Sequence, residues 1–134
     1  MNLDRIHHVA YAVEDIDAAL PVYTDRYGMS VEVRERLDDQ GVEAVSLGAG
    51  TSHIELIQPV DPQSAVAKFL ERRGPGLHHV AFEVEDLAAA LAELRGGGAE
   101  LIDNEPRRGL GGHMIAFIHP RASGGILTEL VQAH

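Results

Sequence analysis

The sequence predicts an α+β chain made of two copies of one βαβββ module. Residues 7–20 (HHVAYAVEDIDAAL) and 78–91 (HHVAFEVEDLAAAL) are identical at ten of fourteen positions, at an offset of 71 residues. Self-similarity at a fixed offset marks duplicated structural units. Each copy opens on an alternating, strand-forming run and passes into a helical stripe. Three more apolar, strand-like runs follow in each half: 29–36, 42–47 and 53–58 in the first, 99–102, 113–118 and 126–131 in the second.

The elements follow in chain order. HVAYAV and HVAFEV alternate bulky and small residues, the period of a strand. Asp15 and Asp86 are placed to cap the helices that follow. The first helix carries Ile16, Ala19, Leu20, Tyr23 and Tyr27 and ends at Gly28. Pro21 lies inside it and is expected to kink it or to move its start later. A linker helix is predicted over 64–73, capped by Ser64, with Val66, Phe69 and Leu70 as its apolar stripe. Gly74-Pro75-Gly76 then breaks the chain before the second copy. There the helix stripe is Leu87, Leu91 and Leu94, stopped by Gly96-Gly97-Gly98. The expected organisation is one domain over 1–134, with modules at about 1–60 and 76–134.

Composition narrows the function. Apolar residues make up 45% and charged residues 24% of 134 residues, as expected for one globular domain. A formal net charge of −10 repels phosphate backbones, so nucleic acid is not an expected partner. With no cysteine, disulfides and thiolate metal sites are excluded, and any metal must sit on His, carboxylate or amide groups. The start, MNLDRIHHVAYAV, shows neither a basic leader nor a long apolar run, so no membrane association is expected and the cytoplasm is the expected location.

Four residues stand out. Alternation puts His8 and His79 on the faces lined by small residues, and His7 and His78 on the helix side or near the strand's edge. Each half ends in an apolar strand interrupted by one carboxylate: SHIELIQP, with Glu55, and GILTELVQ, with Glu129. A charge inside an apolar strand is costly unless paired or bound to a metal. One such His or Glu alone would be ordinary; a matched pair in each copy is the signature of a shared site. Two His and two Glu suit Zn, Co, Ni, Mn or Fe(II) and leave positions open for substrate. His53, His113, His119 and His134 have no repeat partner and are expected at the surface, around the site or, for His134, at a frayed end. Arg107 and Arg108 precede the glycine-rich run 109–112, and Arg beside a mobile loop can hold phosphates.

Over its whole length the chain resembles the vicinal oxygen chelate (glyoxalase-like) superfamily and, within it, the methylmalonyl-CoA epimerase family. The resemblance rests on HHVAYAV, Gln40-Gly41-Val42, IELIQP, DPQSAVAKFLERRGPGLHHVAFEV, DNEPRRG and IAFIHPRASGGILTELVQ. It implies a curved mixed sheet around a metal cleft, with ligands at His8, Glu55, His79 and Glu129. The implied cofactor is a divalent ion, Co2+ first and Zn2+, Ni2+, Mn2+ or Mg2+ after it. The implied reaction is isomerisation of an acyl-CoA, the (2R) and (2S) epimers of methylmalonyl-CoA interconverting through a metal-stabilised enolate, in a homodimer. Glu129 is implied as one catalytic acid–base group. The bacterial epimerases carry a second Glu four residues after the Gln of the QGV segment; that place here is Ala44. Glu43 is the adjacent candidate, but a shift of one residue on a strand reverses the face. A β-bulge near Gly41 would restore its aim; Glu83, on the face of His79, is the next candidate. The rival readings are a glyoxalase I-like lactoylglutathione lyase and, from another class, a non-enzymatic small-molecule-binding member. A ring-cleaving dioxygenase fits less well, since its two His and one carboxylate would leave Glu55 surplus.

Overall fold

The computed structural model describes residues 1–132; Ala133 and His134, the last two residues of the expected second module, lie outside the described residues. Contacts divide the chain into two units, His8–His78 and Met1–His7 with His79 onward.

The first unit builds a mixed four-stranded sheet, in the order β2-β3-β4-β1. Its strands are β1 (Arg5–Ala12), β2 (Ser30–Leu37), β3 (Val42–Ala49) and β4 (Ser52–Pro59). β1 runs parallel to β4, while β2, β3 and β4 form an antiparallel meander. Helix α1 (Ile16–Pro21) starts where its cap predicts: the Asp15 carboxylate accepts the Asp17 N–H at 3.0 Å. Pro21 does not delay that start. It ends the regular ladder instead, and the chain continues as a π-helical turn over Val22–Arg26. A proline has no N–H for the i→i−4 bond, so the turn beyond it widens. Ile16, Val45, Leu47 and Leu56 are fully buried, with Tyr11, Val13, Leu20 and Tyr23 packed around them. Gly41, at φ +68°, makes the β2–β3 turn; a Cβ there would meet Asp61 and Ser64 at 3.0–3.1 Å. Helix α2 (Ala65–Arg73) is the predicted linker, capped by Ser64. His78 packs edge-on against Phe69 of α2, on the helix side as expected.

The second unit repeats the plan, in the order β5-β8-β7-β6. β5 (Gly76–Glu83) is parallel to β8 (Thr128–Gln132), and β7 (Met114–Ile118) is antiparallel to β8. Helix α3 (Leu87–Gly96) is capped by Asp86 and buries Leu87, Ala90 and Leu91 against Ala116, Ile118 and Leu130. Two gatekeeping contacts match between the units. The Gln58 side chain accepts the first N–H of α1 at 2.8 Å, and Gln132 does the same for α3, also at 2.8 Å.

One predicted strand is missing. Over 99–102 only Leu101 makes a bridge, to Ile118, and the partner strand of β7 is β6 (Arg107–Arg108). The backbone of this stretch still bonds β7, with the Ile102 N–H donating to the Phe117 carbonyl at 3.0 Å, but the side chain of Asp103 takes the next position. Its carboxylate accepts the Phe117 N–H at 2.9 Å, taking a ladder position that a backbone carbonyl would fill. No helix among the described residues is long and apolar enough to cross a membrane.

Candidate metal centre

Strand register brings one His and one Glu together in each unit. In the first, β1 and β4 pair in parallel, with His8 opposite His53 and Ala10 opposite Glu55. His8 Nδ1 lies 3.2 Å from a Glu55 carboxylate oxygen. In the second, Ala81 lies opposite Glu129, and His79 Nε2 is 3.2 Å from Glu129 Oε1. His8, His79 and Glu129 are 2%, 3% and 4% exposed and Glu55 9%, against the surface positions usual for such residues. The small residues beside them make this possible. Ala10 and Ala81, at 0% exposure, leave room above the strands that a larger side chain would fill.

Burial sets the protonation. It pushes the His79 imidazole down to about 3, so the ring is neutral at pH 7 with a nitrogen lone pair to offer. It pushes the Glu129 carboxyl up, to about 8; Arg107 pulls against this and Asp103 adds to it. A neutral imidazole beside a carboxyl group starved of positive charge is what a divalent cation fits. The donor set, imidazole nitrogen and carboxylate oxygen, is that of Zn, Co, Ni and Mn sites.

The surroundings of the two pairs differ. Beside His79 the Phe117 ring packs edge-on at 5.1 Å, and Arg107 lies 5.7 Å over that ring while meeting Asp103 at 3.3 Å. Arg107 is thus half-buried on the site side of β6, and alternation sends Arg108 to the other face, exposed. The two arginines, expected to hold phosphates together, point apart. Asp103 and Phe117 were not singled out in the sequence; the i,i+4 spacing of Asp103 and Arg107 was the available signal.

In the first unit a polar cluster flanks Glu55. Ser46 lies opposite Glu55 across the ladder, and cross-strand partners share a face. The Ser46 hydroxyl donates to Glu32 Oε1 at 2.9 Å, and His53 Nδ1 is 2.7 Å from the same oxygen. His53 therefore has a place around the site. His113 packs edge-on against His7, and His119 Nδ1 accepts the Arg121 N–H.

Glu43, the candidate beside Ala44, lies on the helix side of β3. It pairs with Arg34, which also binds Asp17 of α1 at 2.7 Å. The pairing holds the Asp17 carboxyl below its ordinary value. This is the helix-side face, opposite Ala44, Ser46 and Glu55. The bulge that would have re-aimed Glu43 is absent, because β3 pairs with β4 without interruption from Val42 to Ala49. Glu83 does share the face of His79, but it is bound to Arg5 at 3.3 Å.

Comparison with known proteins agrees along the whole chain. The family model for the Glyoxalase/Bleomycin resistance protein/Dioxygenase superfamily matches residues 7–117. The ethylmalonyl-CoA/methylmalonyl-CoA epimerase of Cereibacter sphaeroides is 36% identical over 97% of this chain and 98% of its own. The crystal structure of methylmalonyl-CoA epimerase from Mycobacterium tuberculosis superposes with a TM-score of 0.94 at 40% identity, covering 98% of this chain and 89% of that one. A methylmalonyl-CoA epimerase solved with methylmalonyl-CoA and NH4+ gives 0.95 at 38% identity, covering 98% and 96%. Lactoylglutathione lyases match more weakly, at 26% identity and across 44% of their length.

Proposed function

This chain belongs to the methylmalonyl-CoA epimerase family, and from that premise we propose that it is an isomerase interconverting the (2R) and (2S) epimers of methylmalonyl-CoA. The observation that carries the reading is the buried His–Glu pair repeated in both modules. We further propose that His8, Glu55, His79 and Glu129 share one divalent ion, with Co2+ the first choice. Each is buried and offers one nitrogen or oxygen ligand atom. When bound, the ion supplies a Lewis acid that draws electron density from the acyl oxygens of the substrate and makes the proton at C2 more acidic.

The protein's own residues do the rest. His79 stays neutral because burial disfavours its charged form, and Phe117 fixes its ring. Glu129 is placed to carry the C2 proton on one face. Its carboxylate lies 3.2 Å from His79 Nε2 on the site face of β8, and a carboxylate there can take or return a proton. Arg107, from beside Phe117, tempers the upward push of burial on that carboxyl. Arg107 and Arg108 are the basic pair proposed to meet the phosphates of the acyl-CoA, with Arg107 on the site side and Arg108 exposed on the other face of β6. The same proposal treats 1–134 as one functional domain and includes a cytoplasmic homodimer with no nucleic-acid or membrane partner. The absence of cysteine fits a reducing compartment and the acidic balance disfavours nucleic acid; light scattering tests the dimer.

The deciding experiment is C2 hydrogen–deuterium exchange in heavy water. Metal-loaded protein should exchange and interconvert both epimers, and chelation should abolish both. Protein that leaves them untouched yet isomerises the methylglyoxal–glutathione adduct is a glyoxalase. Protein that does neither and binds no metal is the non-enzymatic member.

A further inference from the structure

Interconverting two epimers requires a proton to leave one face of C2 and another to arrive on the opposite face. Glu129 supplies one group. The position next to Glu43, where a second is expected, is Ala44, and Glu43 itself faces the helix side. A carboxylate nevertheless stands on the site face of the first module, contributed by the neighbouring strand.

That carboxylate is Glu32, which lies at an irregularity of the sheet. Along β2, Val31 pairs with Leu47 but Val33 pairs with Ser46, so two steps on β2 match one step on β3. Glu32 is the extra residue, which makes it the bulged position. Counted back from Arg34, strict alternation would send Glu32 to the helix side; counted on from Val31, it already faces Ser46, and the bulge puts both Glu32 and Val33 against that residue. The side chain points to the face of Ser46 and Glu55. Bulges are common beside active sites.

Three contacts hold the carboxylate. Ser46 Oγ and His53 Nδ1 both meet Oε1, at 2.9 and 2.7 Å. The other oxygen, Oε2, lies over Gly48, where even a Cβ would come within 3.2 Å of it. Ser46 is itself directly opposite Glu55 and two residues from Ala44, on the same face of β3. The carboxylate therefore lies over Ser46 and Gly48, on the face of β3 that also carries Ala44.

We propose that Glu32 is the second proton-transferring group of the epimerisation, with Ser46 and His53 as its positioning residues and Gly48 as the space that admits it. The step balances simply. The C2–H bond breaks, its electron pair delocalises into the thioester carbonyl, and the proton passes to a Glu32 carboxylate oxygen. Reprotonation of C2 from the opposite face by Glu129 completes one direction, and the reverse sequence completes the other. This inference rests on the epimerase reading.

The test measures C2 exchange from each epimer separately, in heavy water, on the metal-loaded enzyme. Glu32→Gln, which is isosteric, should slow exchange from one epimer by about a hundredfold or more while exchange from the other stays within about threefold. Bound metal should be unchanged. Gly48→Ala, which crowds the carboxylate without removing it, should give a milder loss on the same epimer. Glu32→Gln protein that exchanges both epimers at wild-type rates overturns the proposal. So does an equal loss from both epimers, or a loss of metal, since each is the mark of a scaffold residue. Wild-type, metal-loaded protein that exchanges neither epimer overturns the epimerase reading, and the proposal with it.

Discussion

The two modules hold their His–Glu pairs at the same separation, 3.2 Å, and surround them with opposite chemistry. In the C-terminal module the pair is sealed by Phe117 and tempered by a cation, Arg107. In the N-terminal module it is flanked by an anion, Glu32, with its hydroxyl and imidazole partners. The duplication supplied the matched His–Glu pairs, which the proposed shared ion would need in matching places. Divergence then supplied the asymmetry that an epimerase needs, because the two faces of one carbon must be served by two different groups.

The sharpest way to break the comparison is to make the same change in both pairs. Glu129→Gln removes a ligand charge and a proton carrier together and should lower turnover by about a thousandfold. Glu55→Gln removes only a charge, and an amide oxygen can still ligate. It should cost no more than about tenfold. Equal losses, read as kcat with metal content assayed in parallel, would show that the pairs are chemically equivalent and that the asymmetry lies elsewhere.

A second test uses the pH dependence of the metal-free protein. His79, depressed to about 3 from an ordinary 6.5, contributes stability that is lost as pH falls below about 6.5. Glu129, raised to about 8 from 4.5, acts in the opposite sense: its contribution is complete below about 4.5 and is lost as pH rises toward 8. Metal-free protein should therefore be most stable between about pH 4.5 and 6.5. Metal binding must displace the Glu129 proton, so the rise in Tm on adding metal should be larger at pH 8 than at pH 6 by a few degrees. Calorimetry across that range checks both limbs. A metal-induced rise in Tm that is flat with pH would mean that Glu129 is already ionised in the metal-free site.

The smallest effect is expected on the helix side of β3. Glu43→Gln breaks a partly exposed pair with Arg34, of a kind that contributes about 1 kcal/mol or less. Turnover should stay within about twofold. A hundredfold loss would return Glu43 to the mechanism and displace Glu32 from it.

Much of this was legible in the amino-acid order. Duplication, visible as HHVAYAV and HHVAFEV, determined the paired modules. Alternation separated His8 and His79 from His7 and His78, because the period of two is a local property of a strand. The caps Asp15, Ser64 and Asp86 were readable for the same reason: the bond that starts a helix is made within three residues. What stayed hidden depends on partners distant in sequence. Asp103 takes a ladder position of a predicted strand by bonding the Phe117 N–H, fourteen residues away. Arg107 turns inward because Asp103 and Phe117 meet it there, while Arg108, its neighbour, turns out. The bulge at Glu32 exists only as a mismatch of register between β2 and β3, and register belongs to a pair of strands. Which strand presents the second carboxylate, β3 with Glu43 or β2 with Glu32, was therefore decided by tertiary structure alone.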